Sequence, residues 1–180
     1  MINDPSYKTT EWDKFNHLFN RQEIPAKTVL LHEGDVSKMA YFIEKGCLRS
    51  WFNNNGKDIT FQFFFEGEWV SSIESFKTGQ PSLFNLESIE PSIIQSITRK
   101  DFQYILDNSP LIKNGMEEHT FRRLILYQQL FLSRIKDNPQ KRYEELLRHH
   151  PEILHRVPQH YIASYLGITA VSLSRIRNRR

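Results

Sequence analysis

The sequence is poor in the residues that close disulfides and hold metals. It has one cysteine, Cys47, in 180 residues, which excludes a disulfide framework and a cysteine-ligated cluster. Cys47 lies in a strand-like run and reads as a small buried apolar residue. Only His17 and His32 precede His119, too few for a strand-built metalloenzyme, which needs two or three histidines and a carboxylate converging on one point. His149, His150, His155 and His160 cluster loosely; they read as surface or helix-end histidines, and no metal is expected. A Gly-rich phosphate loop and a Gly-x-Ser-x-Gly elbow are both missing, so no enzyme is expected. No apolar run approaches the ~20 residues of a membrane span. Met1-Ile2-Asn3-Asp4-Pro5 lacks the pattern of a signal peptide, and a cytoplasmic protein is expected. Acidic residues are missing from one place in particular: from Arg156 onward there are five arginines and no Asp or Glu. The net charge of +3 therefore has its source in this tail, the footprint of a phosphate-binding surface.

What the tail does contain is a helix-turn-helix pattern. Val157 to Leu166 reads as a short helix with Pro158 at its first position. Gly167 supplies the left-handed residue that stops it. Thr169 is a good N-cap for a second helix over Ala170 to Arg179. Ile162, Leu166, Ile168, Leu173 and Ile176 form one apolar set, and Ala163 is small where two helices would cross. The other face of the second helix carries Val171, Ser172, Ser174, Arg175 and Arg179. Arginine there can read guanine in the major groove.

Upstream, Thr10 to Asn20 reads as an opening helix. From Glu23 to Thr98 the texture is that of strands separated by turns. Asn55-Gly56 is a strong hairpin signal, because both positions tolerate positive φ. Several short strands at this spacing indicate a sandwich or jelly roll. Asp101 to Asn108 reads as a helix, and a long helix follows over Leu111 to Lys136. Phe121, Leu124, Gln128, Phe131 and Ile135 recur on it at steps of three and four, the seam of a two-stranded coiled coil. Asn138 caps a further helix opened by Pro139. The fold class is α+β: a jelly roll over 1–110, a long dimerisation helix over 111–137 and a helix-turn-helix domain over 138–180.

This order of elements resembles the CRP/FNR family of transcription regulators. The best-matching segments are Leu31-His32-Glu33-Gly34-Asp35, Tyr41-Phe42-Ile43-Glu44-Lys45-Gly46 and Ile162-Ala163-Ser164-Tyr165-Leu166-Gly167-Ile168-Thr169. The wording of the tail is similar to regulators of Bacteroidetes-type bacteria. The resemblance implies double-stranded DNA, a second copy of the chain and RNA polymerase as partners. It places Thr169, Ala170, Val171 and Arg175 where the family caps its recognition helix and reads bases, with Ser172, Ser174, Arg177 and Arg179 as backbone contacts. Arg175 matches the family's guanine-reading arginine, whereas Ala170 and Val171 depart, which implies a different target site. The β-wing that follows this helix in the best-known members has no counterpart in the sequence, and its contacts do not carry over.

The sequence also departs at the family's ligand motif, a Gly-Glu pair followed about ten residues later by Arg-Ser. Gly67-Glu68-Trp69-Val70 sets the frame. Ser71 and Ser72 then stand in place of Gly-Glu, Ser82 and Leu83 in place of Arg-Ser, and Glu74 is the nearest carboxylate. A buried cyclic phosphate needs a paired cation, so no cAMP or cGMP cofactor is expected. Two other readings remain: a sensing module acting through protein partners, and a regulator that does respond to cyclic nucleotides.

Overall fold

The computed structural model describes residues 10–178. The described residues divide into two compact units, one of residues 10–52 with Gln62–Met116, the other of Asn53–Phe61 with residues 117–178.

The strands form a jelly roll of two four-stranded antiparallel sheets, which makes up the first unit except for the tip of one hairpin, residues 53–61, which groups with the second. The strands are β1 Asn20–Ile24, β2 Val29–Leu31, β3 Met39–Lys45, β4 Leu48–Asn54, β5 Lys57–Phe64, β6 Trp69–Val70, β7 Asn85–Ser88 and β8 Ser92–Thr98. One sheet runs β1-β8-β3-β6, the other β2-β7-β4-β5. Side chains alternate across a strand, and β3 uses both faces. Tyr41 and Ile43 join Leu48, Leu86 and Ile94 in one core cluster. Ala40 joins Phe15, Ile97, Ile105 and Ile112 in a second. Around this second cluster Trp69 stands 5.4 Å from Phe42 and 5.6 Å from Trp12 between ring centroids. Much of the aromatic content of the sequence gathers here, in a core where a buried ring such as Phe15 contributes about 1.5–3 kcal/mol and the half-buried rings less.

Turn chemistry fixes the connections. Asn55 and Gly56 have φ of 53° and 83°, as the β4–β5 hairpin requires. Gly46, between β3 and β4, has a φ of 109°. A Cβ there would collide with the side chain and Cα of Ser92, so only glycine fits. Between β6 and β7 lies a short helix, α2 Ile73–Thr78.

Two local expectations need correction. The opening helix over 10–20 is one helical turn, α1 Thr10–Asp13, and a 3-10 turn, Asn16–Leu18; Asn20 already belongs to β1. β1 is Asn-Arg-Gln-Glu-Ile, mostly polar because it is an edge strand with only Ile24 buried. Such a strand has no hydrophobic alternation to announce it. Pro158 is the N-cap of its helix, with a non-helical ψ of 137°, rather than its first helical residue.

The remaining helices are α3 Arg99–Asn108, α4 Pro110–Lys136, α5 Pro139–His149, α6 Ile153–Arg156, α7 Gln159–Leu166 and α8 Ala170–Asn178. Thr98 caps α3 by accepting the Asp101 N–H. Asn138 caps α5 by accepting the Lys141 N–H at 2.9 Å. None of the described helices is long and apolar enough to cross a membrane.

Candidate nucleic-acid interface and effector region

The second unit builds a helix-turn-helix from α7 and α8. Gly167 takes the left-handed conformation, φ 69°. The Ile168 N–H then reaches back to the Ala163 carbonyl at 3.0 Å, the closing bond of a Schellman cap. Thr169 caps α8: its Oγ1 accepts the Ser172 N–H at 3.1 Å. Ile162, Leu166 and Leu173 are fully buried, and Ala163 is 3% exposed where the helices cross. The sequence dictates this pairing through small, apolar and left-handed residues at fixed offsets.

Packing on Leu173 leaves the opposite face of α8 to solvent. Thr169, Ala170, Val171, Ser174 and Arg175 are exposed, Val171 by 62%. Ser172 is half-buried, its Oγ 3.0 Å from that of Thr169. Arg177, one turn beyond Leu173, is half-buried on the flank of the helix. Arg179 lies outside the described residues. A shallow groove of about 320 Å³ runs beside this face, lined by Asn138, Pro139 and Gln140 of the α5 start and by Ser172 and Arg175 of α8. It combines the positive end of a helix dipole with a guanidinium, a combination suited to a phosphate.

Three contacts hold the last turn of α7 from behind. Arg134 lies over the Tyr165 ring at 4.9 Å. Burial raises the Tyr165 hydroxyl pKa, opposed by the nearby charges of Arg134 and Arg142. Arg142 donates to the Leu166 carbonyl at 2.8 Å and also to the Asp137 carbonyl. Ser164 Oγ accepts the Thr60 N–H at 2.9 Å and donates to the Asp58 carbonyl at 2.9 Å. Sequence reading missed all three, because each joins residues distant along the chain.

On α4, Phe121, Leu124, Phe131 and Ile135 are between 59% and 67% exposed. Gln128 is exposed as well, and Ile125 and Leu132 widen the apolar stripe.

In the jelly roll, Ser72 and Ser82 are each 3% exposed, and their hydroxyls are hydrogen-bonded at 2.9 Å. The structure thus brings together the two positions that the family motif would fill with Glu and Arg. It does not add the others: Ser71 is half-buried, Glu74 is exposed, and Leu83 is 72% exposed. Arg49 supplies a buried guanidinium that sequence reading passed over. It is 1% exposed, stands opposite Glu87 on β7, and donates from Nε and Nη2 to one Glu87 oxygen at 2.9 and 2.6 Å. Its guanidinium also lies 4.9 Å from the Trp51 ring centre. A signal existed: Arg49 and Glu87 are lone opposite charges in otherwise uncharged strands, and lone buried charges are rare unless paired.

Comparison with known proteins agrees with this architecture. Residues 21–109 match the cyclic nucleotide-binding domain family. The cAMP-activated global transcriptional regulator CRP of Salmonella typhimurium is 23% identical over 117 residues, which cover 64% of this chain and 55% of that protein. The match thus spans about half the length of the curated relatives, which are named as cAMP-activated global transcriptional regulators. The Thermus thermophilus catabolite activator protein superposes with a TM-score of 0.62 at 18% identity, covering 98% of this chain and 86% of that one. The c-di-GMP-responsive global regulator CLP of Xanthomonas campestris superposes with a TM-score of 0.73 at 14% identity, covering 94% and 89%. At such identities the structural likeness is one of fold. Residues 21–109 thus match the cyclic nucleotide-binding domain family, and the fold of the described chain is that of these solved regulators.

Proposed function

We propose that this chain is a dimeric, sequence-specific DNA-binding transcription regulator whose effector site does not take cAMP or cGMP. The observation that carries the reading is α8: a capped helix, packed on α7 through Leu173, with Ala170, Val171, Ser174 and Arg175 exposed on one face. Arg175 is the base-reading residue of this proposal. Thr169, Ser172, Arg177 and the α5 start contact phosphate, and Arg179 is counted with them on its sequence position alone. The exposed stripe of α4 receives the same stripe of a second copy. RNA polymerase is the protein partner expected of such a regulator, and the wording of the tail supports a Bacteroidetes-type subgroup.

A salt titration of binding to mixed genomic DNA tests the reading. Affinity should fall steeply with salt as phosphate contacts release counterions. Salt-insensitive or undetectable binding would favour a module that signals through protein partners. Within a DNA-binding protein, Arg175→Ala should cost about 1–3 kcal/mol per contact and relax selectivity at one position of each half-site. A selectivity profile unchanged by this substitution would mean that another face of α8 reads the bases.

The effector reading rests on charge. A cyclic phosphate entering the jelly roll must leave water, and a neutral hydroxyl replaces only part of a charge-assisted contact. Ser72 and Ser82 spend hydrogen-bonding capacity on each other, and the buried guanidinium of Arg49 is held by Glu87. Calorimetry with millimolar cAMP and cGMP should therefore register no specific heat. Submicromolar binding of either nucleotide would overturn this and restore the cyclic-nucleotide-responsive alternative. The name of the Xanthomonas protein shows that this fold serves more than one effector, so the fold alone does not select cAMP.

A further inference from the structure

We infer that Ser164 is a positioning residue for DNA binding, which ties the first helix of the helix-turn-helix to the tip of the β4–β5 hairpin. β5 is the outer strand of its sheet, so the N–H and C=O groups on its free side have no neighbouring strand. Such edges are managed in proteins by charge, bulges or cover. Residues 58 and 60 point the same way, as alternate strand residues do. Ser164 Oγ meets both: it accepts the Thr60 N–H and donates to the Asp58 carbonyl, each at 2.9 Å. One hydroxyl thus does for this edge what a partner strand would do, and Thr60 is fully buried beneath the contact.

The contact falls where it can set the pose of α7. Ser164, Tyr165 and Leu166 form the last turn before Gly167, and each is held separately: by the hairpin, by Arg134 and by Arg142. The hairpin is the one of the three that comes from β strands rather than from a neighbouring helix. With this tie made, Val171, Ser174 and Arg175 stand exposed and free to meet a groove. The tie therefore pre-organises a binding-competent pose, and losing it spreads α7 and α8 over poses that must be narrowed again on binding.

This inference rests on the DNA-binding reading, and its test separates the two. Ser164→Ala removes the hydroxyl and leaves the Arg134 and Arg142 contacts in place; Ser164→Thr keeps a hydroxyl. Hydrogen exchange, read without DNA, should show the Thr60 amide exchanging at least ~10-fold faster in the Ala variant. Affinity for genomic DNA should fall by ~5-fold, about the net worth of one hydrogen bond, with an unchanged salt slope, because no phosphate contact is removed. Ser164→Thr should recover most of both. An unchanged Thr60 amide would overturn the contact itself. A faster amide with wild-type DNA affinity would overturn the positioning role, and a shallower salt slope would make Ser164 a direct phosphate contact instead. If the wild-type chain binds no DNA in salt-dependent fashion, the function it rests on fails, whatever the amide shows.

Discussion

Glu87→Ala should lower the unfolding free energy of the protein by about 3–5 kcal/mol, the cost of removing one partner from a buried ion pair. Arg49 is 1% exposed and donates twice to this carboxylate. The loss is a large share of the ~5–15 kcal/mol that holds a typical domain together. Arg49→Met with Glu87→Leu should behave differently. Removing both charges also removes the desolvation cost, and apolar replacements of buried pairs are often neutral or stabilising. Urea unfolding monitored by tryptophan fluorescence would measure all three proteins. A Glu87→Ala stability within about 1 kcal/mol of wild type would show that the other surroundings of Arg49 compensate its charge. A double variant as damaged as the single one would show that the pair orders the β4–β7 register.

The second large effect concerns α4. Replacing both Leu124 and Phe131 with Asp should convert a dimer into monomers. In the isolated chain these side chains are 62% and 65% exposed, an arrangement that suits a seam awaiting a second copy. Burying a Leu or Phe side chain contributes about 1.5–3 kcal/mol, and a two-fold axis counts each residue twice. Four aspartates facing one another add like-charge repulsion in a low-dielectric seam. Sedimentation at micromolar concentration should give a dimer for wild type and a monomer for the variant. A monomeric wild type would remove the seam from the proposal. It would also remove the geometry by which two recognition helices meet DNA one turn, ~34 Å, apart.

The parts of this protein legible in its sequence are those fixed by nearby residues. Asn55-Gly56 announced a hairpin because two adjacent positive φ values are a local demand, and the structure has them. Asn138-Pro139 and Gly167-Ile168-Thr169 marked helix ends because caps act within four residues, and both caps are made. The apolar spacing of α7 and α8 foretold the burial of Ile162, Leu166 and Leu173. Periodicity had nothing to say about β1, whose residues are polar because it lies at a sheet edge. It also misjudged the opening helix, where Trp12, Phe15, Leu18 and Phe19 share helical spacing yet line the aromatic cluster from a broken turn.

Only the tertiary structure decided which distant residues meet. Arg49 and Glu87 are 38 positions apart, and Thr60 and Ser164 are 104 apart. In each case a polar group loses water on folding and must be satisfied by whatever the chain returns to it. The sequence determined that α8 would be a basic, capped helix with an arginine on its outer face. The fold decided that the serine pair Ser72 and Ser82 would close on itself, and that a guanidinium unforeseen in the strand would be buried against a carboxylate. The physical reason is one of range. Dihedral preference and helical periodicity act over a few residues. Desolvation is settled only when strands and helices far apart in the chain have packed.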